Sequence, residues 1–255
     1  MSSIAHSPST GVIITGGASG IGASTMHALA EAGRPVAAWD LNGDRAVAVA
    51  AEVQAKYGVA AIGIGIDVTD HAAFVSAVRG TRAALGTIGG LVHGAGIVGA
   101  GPIDSFDDAV WNLALATHLT AAAVLIRELS SDLTANPGSA VVLVASMAAI
   151  VGFDANPAYC AAKSGMLGLA RSATARLGPL GVRINCVCPG FIDTPMMAPS
   201  LDAAGLERFA SRAPLRRIGQ PSDIATGIRF LLSDDASFVS GTELVVDGGV
   251  LATTW

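Results

Sequence analysis

The sequence predicts a single α/β domain built on a doubly wound parallel sheet of about seven strands with helices on both faces. Composition supports this fold class, because 51% of the 255 residues are hydrophobic and only 14% are charged. A chain of this length and composition can bury a large core, and general disorder is excluded. The order along the chain supports it as well, since short apolar runs alternate with segments of helical periodicity, a pattern typical of parallel sheets buried on both faces.

Each of the seven strands is predicted from an apolar run that is too short for a helix. The runs are Val12–Thr15, Pro35–Trp39, Ala60–Ile66, Ile88–His93, Ala140–Ala145, Val182–Val187 and Glu243–Val246. Helical patterns lie between them at Gly20–Ala32, Gly43–Lys56, Asp70–Leu85, Ser105–Leu133, Asn156–Leu177 and Pro221–Leu232. A glycine follows each of the first two helices, and Asp70 is a suitable N-cap for the third.

The chain is expected to form one domain. Residues 11–255 contain no Pro/Ser-rich linker, charge block or internal repeat that would divide them. Residues 1–10 are predicted to be a flexible N-terminal arm. A long irregular connection at about 191–217 mixes polar and apolar residues and is predicted to be a mobile lid over a substrate site.

Charge and cysteine content exclude several classes of protein. The formal net charge is −5 and the pI is about 5.4, so there is no basic footprint for nucleic acid or an anionic membrane surface. Continuous apolar runs such as Ala140–Ala145 fall short of the roughly 18 residues that span a bilayer, and the first ten residues lack the pattern of a secretory signal. Three cysteines cannot form a disulfide framework, and the five histidines share no metal-ligand spacing. A cytoplasmic protein without a metal is therefore expected.

A glycine-rich turn joins the first predicted strand to the first predicted helix. Its sequence, Thr-Gly-Gly-Ala-Ser-Gly-Ile-Gly, occupies residues 15–22. Glycines in such a turn allow backbone N–H groups to approach a pyrophosphate, and the positive end of the helix dipole points at the same anion. The alternative is a purely structural turn between strand and helix. The position of the turn, after a strand and at the start of a helix, favours a dinucleotide site.

Asp40 ends the second predicted strand, 18 residues beyond Gly22. A carboxylate at this distance can accept hydrogen bonds from the ribose hydroxyls of NAD and repel the 2′-phosphate of NADP. At about 4 Å and an effective dielectric constant of 20, the repulsion is on the order of 4 kcal/mol per charge pair. NAD is therefore the predicted cofactor, although Arg45 could offset the negative charge. The alternative is that Asp40 caps the following helix.

Tyr159 and Lys163 are four residues apart on a predicted helix and therefore share one face. Ser146 follows the strand predicted at Ala140–Ala145, and ligands bind at the carboxyl ends of strands in open α/β sheets. In this arrangement Ser146 can hydrogen-bond a substrate oxygen while Tyr159 takes or gives its proton. Each residue alone has an ordinary structural alternative, but the combination beside a dinucleotide turn favours catalysis.

Lys163 is expected to lower the pKa of Tyr159. Reducing a tyrosine pKa from about 10 to about 7 requires roughly 4 kcal/mol. An ammonium about 5 Å from the phenol, at an effective dielectric constant of 20, supplies on the order of 3 kcal/mol. The positive charge of an oxidised nicotinamide would add to this effect.

These motifs resemble those of the short-chain dehydrogenase/reductase family. The resemblance spans residues 12–249 and rests on TGGASGIG at 15–22, Ser146, Tyr159-x-x-x-Lys163, and Pro189-Gly190 with Thr194. It implies a Rossmann-type fold, a homotetramer, and NAD(H)-dependent interconversion of a secondary alcohol and a ketone, with the tyrosine as general acid/base. The cofactor contacts implied by the turn and by the resemblance are Gly16, Ser19, Gly20, Ile21, Gly22, Asp40, Asp67, Val68, Ala95, Gly96, Tyr159, Lys163, Pro189, Gly190, Ile192 and Thr194.

Two positions depart from the pattern of that family. The family has Asn-Asn-Ala-Gly at residues 93–96, where this chain has His-Gly-Ala-Gly, so the side-chain hydrogen bonds across the sheet must differ. The family also places the asparagine of a proton relay where this chain has His118. If only the backbone carbonyl is needed there, the histidine is a neutral replacement; if the side chain is needed, it could relay protons with a titration near neutral pH. The candidate catalytic residues are Ser146, Tyr159, Lys163 and His118.

Loops near the site predict a mostly apolar pocket, suited to a secondary alcohol or ketone with hydrophobic bulk. Its candidate walls are Ile97, Val98, Met147, Ile150, Phe153, Phe191, Met196, Met197, Leu201, Leu206 and Phe209. The resemblance argues against two other reactions, because enoyl reductases of this fold separate the tyrosine and lysine more widely and epimerase relatives add a substrate domain. A rival function of another class is an NAD-binding sensor or structural protein with little catalysis.

Overall fold

The computed structural model describes residues 8–98, 101–200 and 202–253. Its centre is a seven-stranded sheet with the order β3-β2-β1-β4-β5-β6-β7, in which all neighbours are parallel. The strands are β1 (Gly11–Thr15), β2 (Val36–Asp40), β3 (Ala61–Gly65), β4 (Ile88–His93), β5 (Ala140–Val144), β6 (Arg183–Pro189) and β7 (Glu243–Val246). The predicted fold class is confirmed, and the strand bounds differ from the predicted ones by at most two residues.

Nine α-helices cover the sheet in the described part of the chain. They are α1 (Gly20–Glu31), α2 (Gly43–Tyr57), α3 (Phe74–Leu85), α4 (Asp108–Leu115), α5 (Ala121–Glu128), α6 (Ser130–Ala135), α7 (Pro157–Leu177), α8 (Ala203–Arg212) and α9 (Pro221–Leu232). Local signals set several of their ends. Asn42, Asp107 and Asp202 accept hydrogen bonds from first-turn amides of α2, α4 and α8, and Gly58 ends α2 in the left-handed conformation with φ 71°.

Alternate residues of β1 serve opposite faces of the sheet. Ile13 packs into a layer formed with α3, α5 and α7, whereas Val12 and Ile14 pack into a layer formed with α1, α2 and α9. All three side chains are fully buried. Burial of a side chain of this size stabilises the fold by about 1.5–3 kcal/mol. The two layers therefore fix the position of β1, whose carboxyl end can form part of a site.

The helix predicted at Ser105–Leu133 is instead interrupted. Helices α4 and α5 are joined by one π-helical turn at Ala116–Thr120, and α6 follows as a separate short helix. In a regular α-helix the Ala121 amide would donate to Thr117, but here it donates to the Ala116 carbonyl. The Thr117 carbonyl therefore loses its intrahelical partner. The apolar pattern alone could not predict this, because one extra residue in a turn leaves the hydrophobic periodicity almost unchanged.

The helical run Asp108–Glu128 is long and apolar enough to cross a membrane by length and composition, with a mean hydropathy of 1.7. The sequence prediction considered only continuous apolar runs and did not find it. His118, Ala121 and Leu125 on this run are fully buried within the fold, and the run packs against α7. The fold therefore buries part of this run, and other apolar residues of it, such as Leu113, are exposed.

The carboxyl ends of β1 and β4 meet at the point where the strand order reverses. Thr15 ends β1, His93 ends β4, and the two residues pair in the parallel register. Ligands of open α/β sheets bind outside the carboxyl ends of strands at such a switch point. At the opposite end of the sheet, the buried Arg34 donates to the backbone oxygen of Thr10 at 3.0 Å and to its side-chain oxygen at 3.1 Å. The predicted arm is thus fixed at Thr10; its residues 1–7 lie outside the described residues.

Candidate active site

A cleft of about 430 Å³ lies above the carboxyl end of β1. The glycine-rich turn forms one wall, and only glycine fits there, because a Cβ on Gly22 would collide with the carbonyl of Gly16. Ser19 is the N-cap of α1, yet its side chain makes no cap hydrogen bond. The first-turn amides of α1 are therefore available to an anionic ligand at the positive end of the helix dipole.

Asp40, at the end of β2, lines the same cleft. Its Oδ2 accepts a hydrogen bond from the Ala18 amide at 3.1 Å, and its Oδ1 accepts one from the Asn42 amide at 2.9 Å. The alternative that Asp40 caps the following helix is wrong, since the α2 cap is Asn42. Arg45 forms an ion pair with Glu52 at 3.0 Å. The guanidinium that could have offset the Asp40 charge is thus engaged along α2.

Asp67 and Val68 lie in the cleft beyond Asp40. One carboxylate oxygen of Asp67 accepts hydrogen bonds from both the backbone amide and the hydroxyl of Thr69, each at 2.8 Å. These bonds hold the pKa of the Asp67 carboxyl below its usual value. The group stays ionised near neutral pH and keeps an oxygen available for a hydrogen-bond donor such as an adenine amino group.

A second cleft of about 330 Å³ contains Ser146, Tyr159, Lys163 and His118. The two clefts share a set of lining residues, so they form one continuous depression. The shared residues are Ile21, Gly94, Gly96, Val144, Thr194 and Met196. Every residue predicted to contact a cofactor lines one cleft or the other. A dinucleotide in the first cleft would therefore direct its reactive end toward the second.

Helix α7 carries Tyr159 and Lys163 on one face, as the spacing predicts. The Lys163 ammonium is buried, donates to the Val144 carbonyl at 2.6 Å, and lies 5.4 Å from the centre of the Tyr159 ring. Ser146 follows β5, and its Oγ accepts a hydrogen bond from the Ala148 amide at 3.1 Å. The Ser146 hydroxyl is close enough to Tyr159 to act on its phenol, and it lowers the pKa of that group. The three groups thus converge at the carboxyl end of β5.

The expectation that Lys163 lowers the pKa of Tyr159 is wrong for the protein alone. Burial raises the pKa of Tyr159, and the influence of the Ser146 hydroxyl offsets this only in part. Burial also lowers the pKa of Lys163 to about 7, so this side chain is only partly charged near neutral pH. The charge–charge argument left out desolvation, which is the largest cause of the pKa shift of each group.

His118 is buried in the π turn and packs edge-on against Tyr159, with ring centres 5.3 Å apart and an angle of 86°. Its Nε2 lies 2.8 Å from the Ile97 carbonyl and 3.2 Å from the Ile97 amide. Burial lowers the pKa of His118 to about 2. A histidine that titrates near neutral pH is therefore not supported, and the geometry favours the alternative in which the side chain packs as a neutral group.

Most predicted walls of the substrate pocket line the second cleft. Ile150 and Leu206 do not, since both are exposed away from it, and Ile97 lines the first cleft instead. Leu201 lies outside the described residues. Phe191 and Phe209 stack with ring centres 4.5 Å apart, which places α8 against the cleft. The lid at residues 191–217 stays a prediction.

Sequence reasoning missed several lining residues. Leu113, Thr117 and Asn156 line the clefts, although they were not singled out. The first two lie near the π turn, which has no sequence signal of its own. Asn156 precedes α7 and is its N-cap. Its position three residues before Tyr159, at a helix start beside the site, was a signal that could have been used.

Comparison with known proteins identifies the family. The family model described as Enoyl-(Acyl carrier protein) reductase matches residues 16–251. The chain is 37% identical over 235 residues to inactive 2-(S)-hydroxypropyl-CoM dehydrogenase 2 of Xanthobacter autotrophicus, covering 89% of this chain and 99% of that protein. It is 36% identical over 241 residues to cis-4-hydroxycyclohexanecarboxylate dehydrogenase of Sinomonas cyclohexanicum, covering 94% and 96%. The crystal structure of levodione reductase superimposes with a TM-score of 0.91 at 32% identity, covering 97% and 99%.

The fold, the site and these comparisons define one class of enzyme. The chain belongs to the short-chain dehydrogenase/reductase family, as the sequence motifs predicted. This is a family of oxidoreductases whose dehydrogenases use nicotinamide cofactors and whose members similar to this chain include dehydrogenases of alcohols.

Proposed function

We propose that the protein is an NAD(H)-dependent oxidoreductase that interconverts a secondary alcohol and a ketone. One observation carries the proposal: Ser146, Tyr159 and Lys163 line a cleft that is continuous with the glycine-rich cleft. A proton-transfer group beside a dinucleotide site is the combination that alcohol oxidation requires. The proposal is also supported by the relative that is named as a hydroxycyclohexanecarboxylate dehydrogenase.

The residues of the first cleft fit a dinucleotide. A Cβ on Gly22 would collide with the Gly16 carbonyl, so the turn requires glycine there, and the first-turn amides of α1 are available to a pyrophosphate. The cofactor, when bound, supplies the acceptor or donor of the hydride. Asp40 favours NAD over NADP, because a 2′-phosphate would meet its carboxylate and Arg45 is paired with Glu52.

Tyr159 is the proposed general acid/base and moves the proton at its phenol oxygen. Ser146 lines the same cleft and would orient the substrate oxygen toward that phenol. Lys163 holds its ammonium between the Val144 carbonyl and the Tyr159 ring and is placed to bind the hydroxyls of the nicotinamide ribose. Since the phenol is protonated in the protein alone, the charge of an oxidised cofactor is what would lower its pKa before it acts as a base.

The substrate class follows from the walls of the second cleft. Met147, Phe153, Phe191, Met197 and Phe209 give it a mostly apolar surface. The oxygen of a substrate would meet Ser146 and Tyr159 at the inner end, and its hydrophobic part would meet these walls. A secondary alcohol or ketone with hydrophobic bulk fits this arrangement.

A panel of secondary alcohols with NAD, followed by the absorbance of the reduced cofactor, tests the function. Turnover is expected with at least one hydrophobic secondary alcohol. The Tyr159→Phe variant should lose it by about 100-fold or more while it still binds NADH. Activity that survives in Tyr159→Phe would show that another group moves the proton. NADH binding without turnover by the wild-type protein would favour the rival function, a catalytically weak NAD-binding protein, and one relative is indeed named as an inactive dehydrogenase.

We also propose that the protein acts in the cytoplasm as a homotetramer. All three cysteines are free, and Cys186 and Cys188 are buried, as expected in a reducing compartment. Strand β7 is an edge of the sheet, and Phe238, which precedes it in the sequence, is fully exposed. A second copy would cover this apolar edge. Light scattering should give four times the chain mass of 25.4 kDa, and Phe238→Ser should reduce it.

A further inference from the structure

His93 has a single possible tautomer, which its hydrogen bonds define. The Thr15 hydroxyl oxygen accepts bonds from the amides of Gly94 and Ala95, each at 3.2 Å. Its own proton is therefore free to point at His93 Nδ1, which lies 2.9 Å away. Nδ1 is then the acceptor, and the proton of this neutral, fully buried imidazole must be on Nε2.

The other nitrogen of His93 binds the carbonyl that the π turn releases. His93 Nε2 donates to the Thr117 oxygen at 3.1 Å. That oxygen has lost the Ala121 amide, which donates to Ala116 instead. A buried carbonyl without a partner costs about 1–3 kcal/mol. His93 therefore stabilises the π turn by supplying the hydrogen bond that the helix gave up.

The residue after Thr117 is His118, which lines the second cleft and contacts a residue of the first. Its Nε2 meets the backbone of Ile97, the residue that follows the floor of the first cleft at Ala95 and Gly96. Its ring packs edge-on against Tyr159. A chain of direct contacts thus runs from Thr15 through His93, the π turn and His118 to the phenol.

We propose that His93 is a positioning residue of the active site. Through the Thr117 carbonyl it fixes the π turn, and the π turn sets the position of His118 against the Tyr159 ring. This inference rests on the proposed function, in which Tyr159 moves the proton. It assigns a role to a histidine that lines neither cleft.

Each of two conservative variants can keep only one of the two side-chain hydrogen bonds of His93. The side-chain amide of asparagine is attached at Cγ, as Nδ1 is, so His93→Asn can keep the bond to Thr15 but cannot reach Thr117. The amide of glutamine lies one bond further out, as Nε2 does, so His93→Gln can reach the Thr117 carbonyl. His93→Gln should keep the wild-type kcat. His93→Asn should lower kcat by about 100-fold, the scale for a misplacement of about 1 Å, with NADH affinity unchanged.

The difference in kcat between the two variants distinguishes a positioning role of His93 from a role in core packing. If His93→Asn keeps the wild-type kcat, or if His93→Gln loses as much as His93→Asn, the proposal is overturned. If a variant fails to fold, the proposal can still be tested by a measurement on the wild-type protein. Nitrogen NMR of the five histidines should show the Nε2–H tautomer at His93, and an Nδ1–H tautomer would also overturn the proposal.

A measurement that does not depend on enzyme turnover keeps the test of His93 separate from the test of the proposed function. The chain has two tyrosines, so carbon NMR of ring-labelled protein gives two phenol signals, which Tyr159→Phe assigns. His93→Asn should shift the Tyr159 signal, and His93→Gln should leave it in place. An inactive wild-type protein in which this pattern holds would refute the function and keep the positioning role. A Tyr159 signal unchanged in His93→Asn would refute the positioning role.

Discussion

Gly96 and His118 occupy adjoining space that leaves no room for a side chain at position 96. A Cβ on Gly96 would collide with Cε1 of His118 and lie 2.8 Å from its Nδ1. Gly96 also lines both clefts. The histidine in the π turn and the glycine in the floor of the cofactor cleft therefore depend on each other.

Gly96→Ala is expected to destabilise the protein by about 1–3 kcal/mol, because it overpacks a buried contact. Urea unfolding measures this. The loss should be smaller in a His118→Ala background, since the colliding ring is gone. Gly168→Ala is the control, because a Cβ there meets nothing within 4 Å. An equal loss with and without His118 would contradict the contact.

Asp40→Asn should raise NADPH affinity while it keeps the shape of the side chain and a hydrogen-bond acceptor for the Ala18 amide. Removal of the charge abolishes a repulsion on the order of 4 kcal/mol at about 4 Å, so a gain of at least tenfold in NADPH affinity is expected. Fluorescence titration of the wild-type protein and the variant with both cofactors measures it. Equal affinities of the wild-type protein for NADH and NADPH would contradict the proposal that Asp40 selects NAD.

Acid should destabilise the protein below pH 6.5 through its buried histidines. Burial lowers the pKa of His93 to about 4, so between pH 6.5 and 4 the unfolded chain binds a proton that the folded chain does not. Stability is present above pH 6.5 and falls as the pH decreases, by on the order of 3 kcal/mol for this residue. His118 acts in the same direction.

Urea unfolding between pH 8 and 4.5 measures this dependence. The double variant His93→Gln/His118→Asn carries neither imidazole and should show a flatter profile over the same range. Carboxylates contribute equally to both proteins, so the difference reports the two histidines. Identical slopes would show that these side chains accept protons in the folded state as readily as in the unfolded state.

The phenol of Tyr159 should remain protonated at pH 10 in the protein alone, because burial raises its pKa. Carbon NMR of labelled tyrosine follows the titration. Saturating NAD should then lower the midpoint by about two pH units, the effect of one positive charge about 5 Å away at an effective dielectric constant of 20. A midpoint near neutral pH without cofactor would instead restore the original expectation for Lys163.

The sheet and the placement of the candidate catalytic residues could be predicted because they depend on short-range patterns. An apolar run such as Val12–Thr15 defines a buried strand, and a spacing of four places Tyr159 and Lys163 on one helix face. The glycines at 16 and 22 are needed by a turn whose backbone leaves no space for Cβ. Each of these features is a property of a few neighbouring residues.

The parts that could not be predicted depend on residues distant in sequence. The pKa of Tyr159 is governed by burial, which no local pattern reports. The partner of His93 is a carbonyl 24 residues away, released by a π turn with no sequence signal. The bond from Ala18 to Asp40 likewise joins two elements that only the folded sheet brings together.

The π turn at Ala116–Thr120 interrupts a helix that would otherwise be regular. Deletion of one residue there would let α4 and α5 continue as one uninterrupted α-helix and would return the Thr117 carbonyl to an ordinary helical bond. The same deletion would rotate one half of the helix by about 100° relative to the other. The extra residue of the π turn therefore determines which side of the helix carries His118, and a regular helix would turn this ring away from Tyr159.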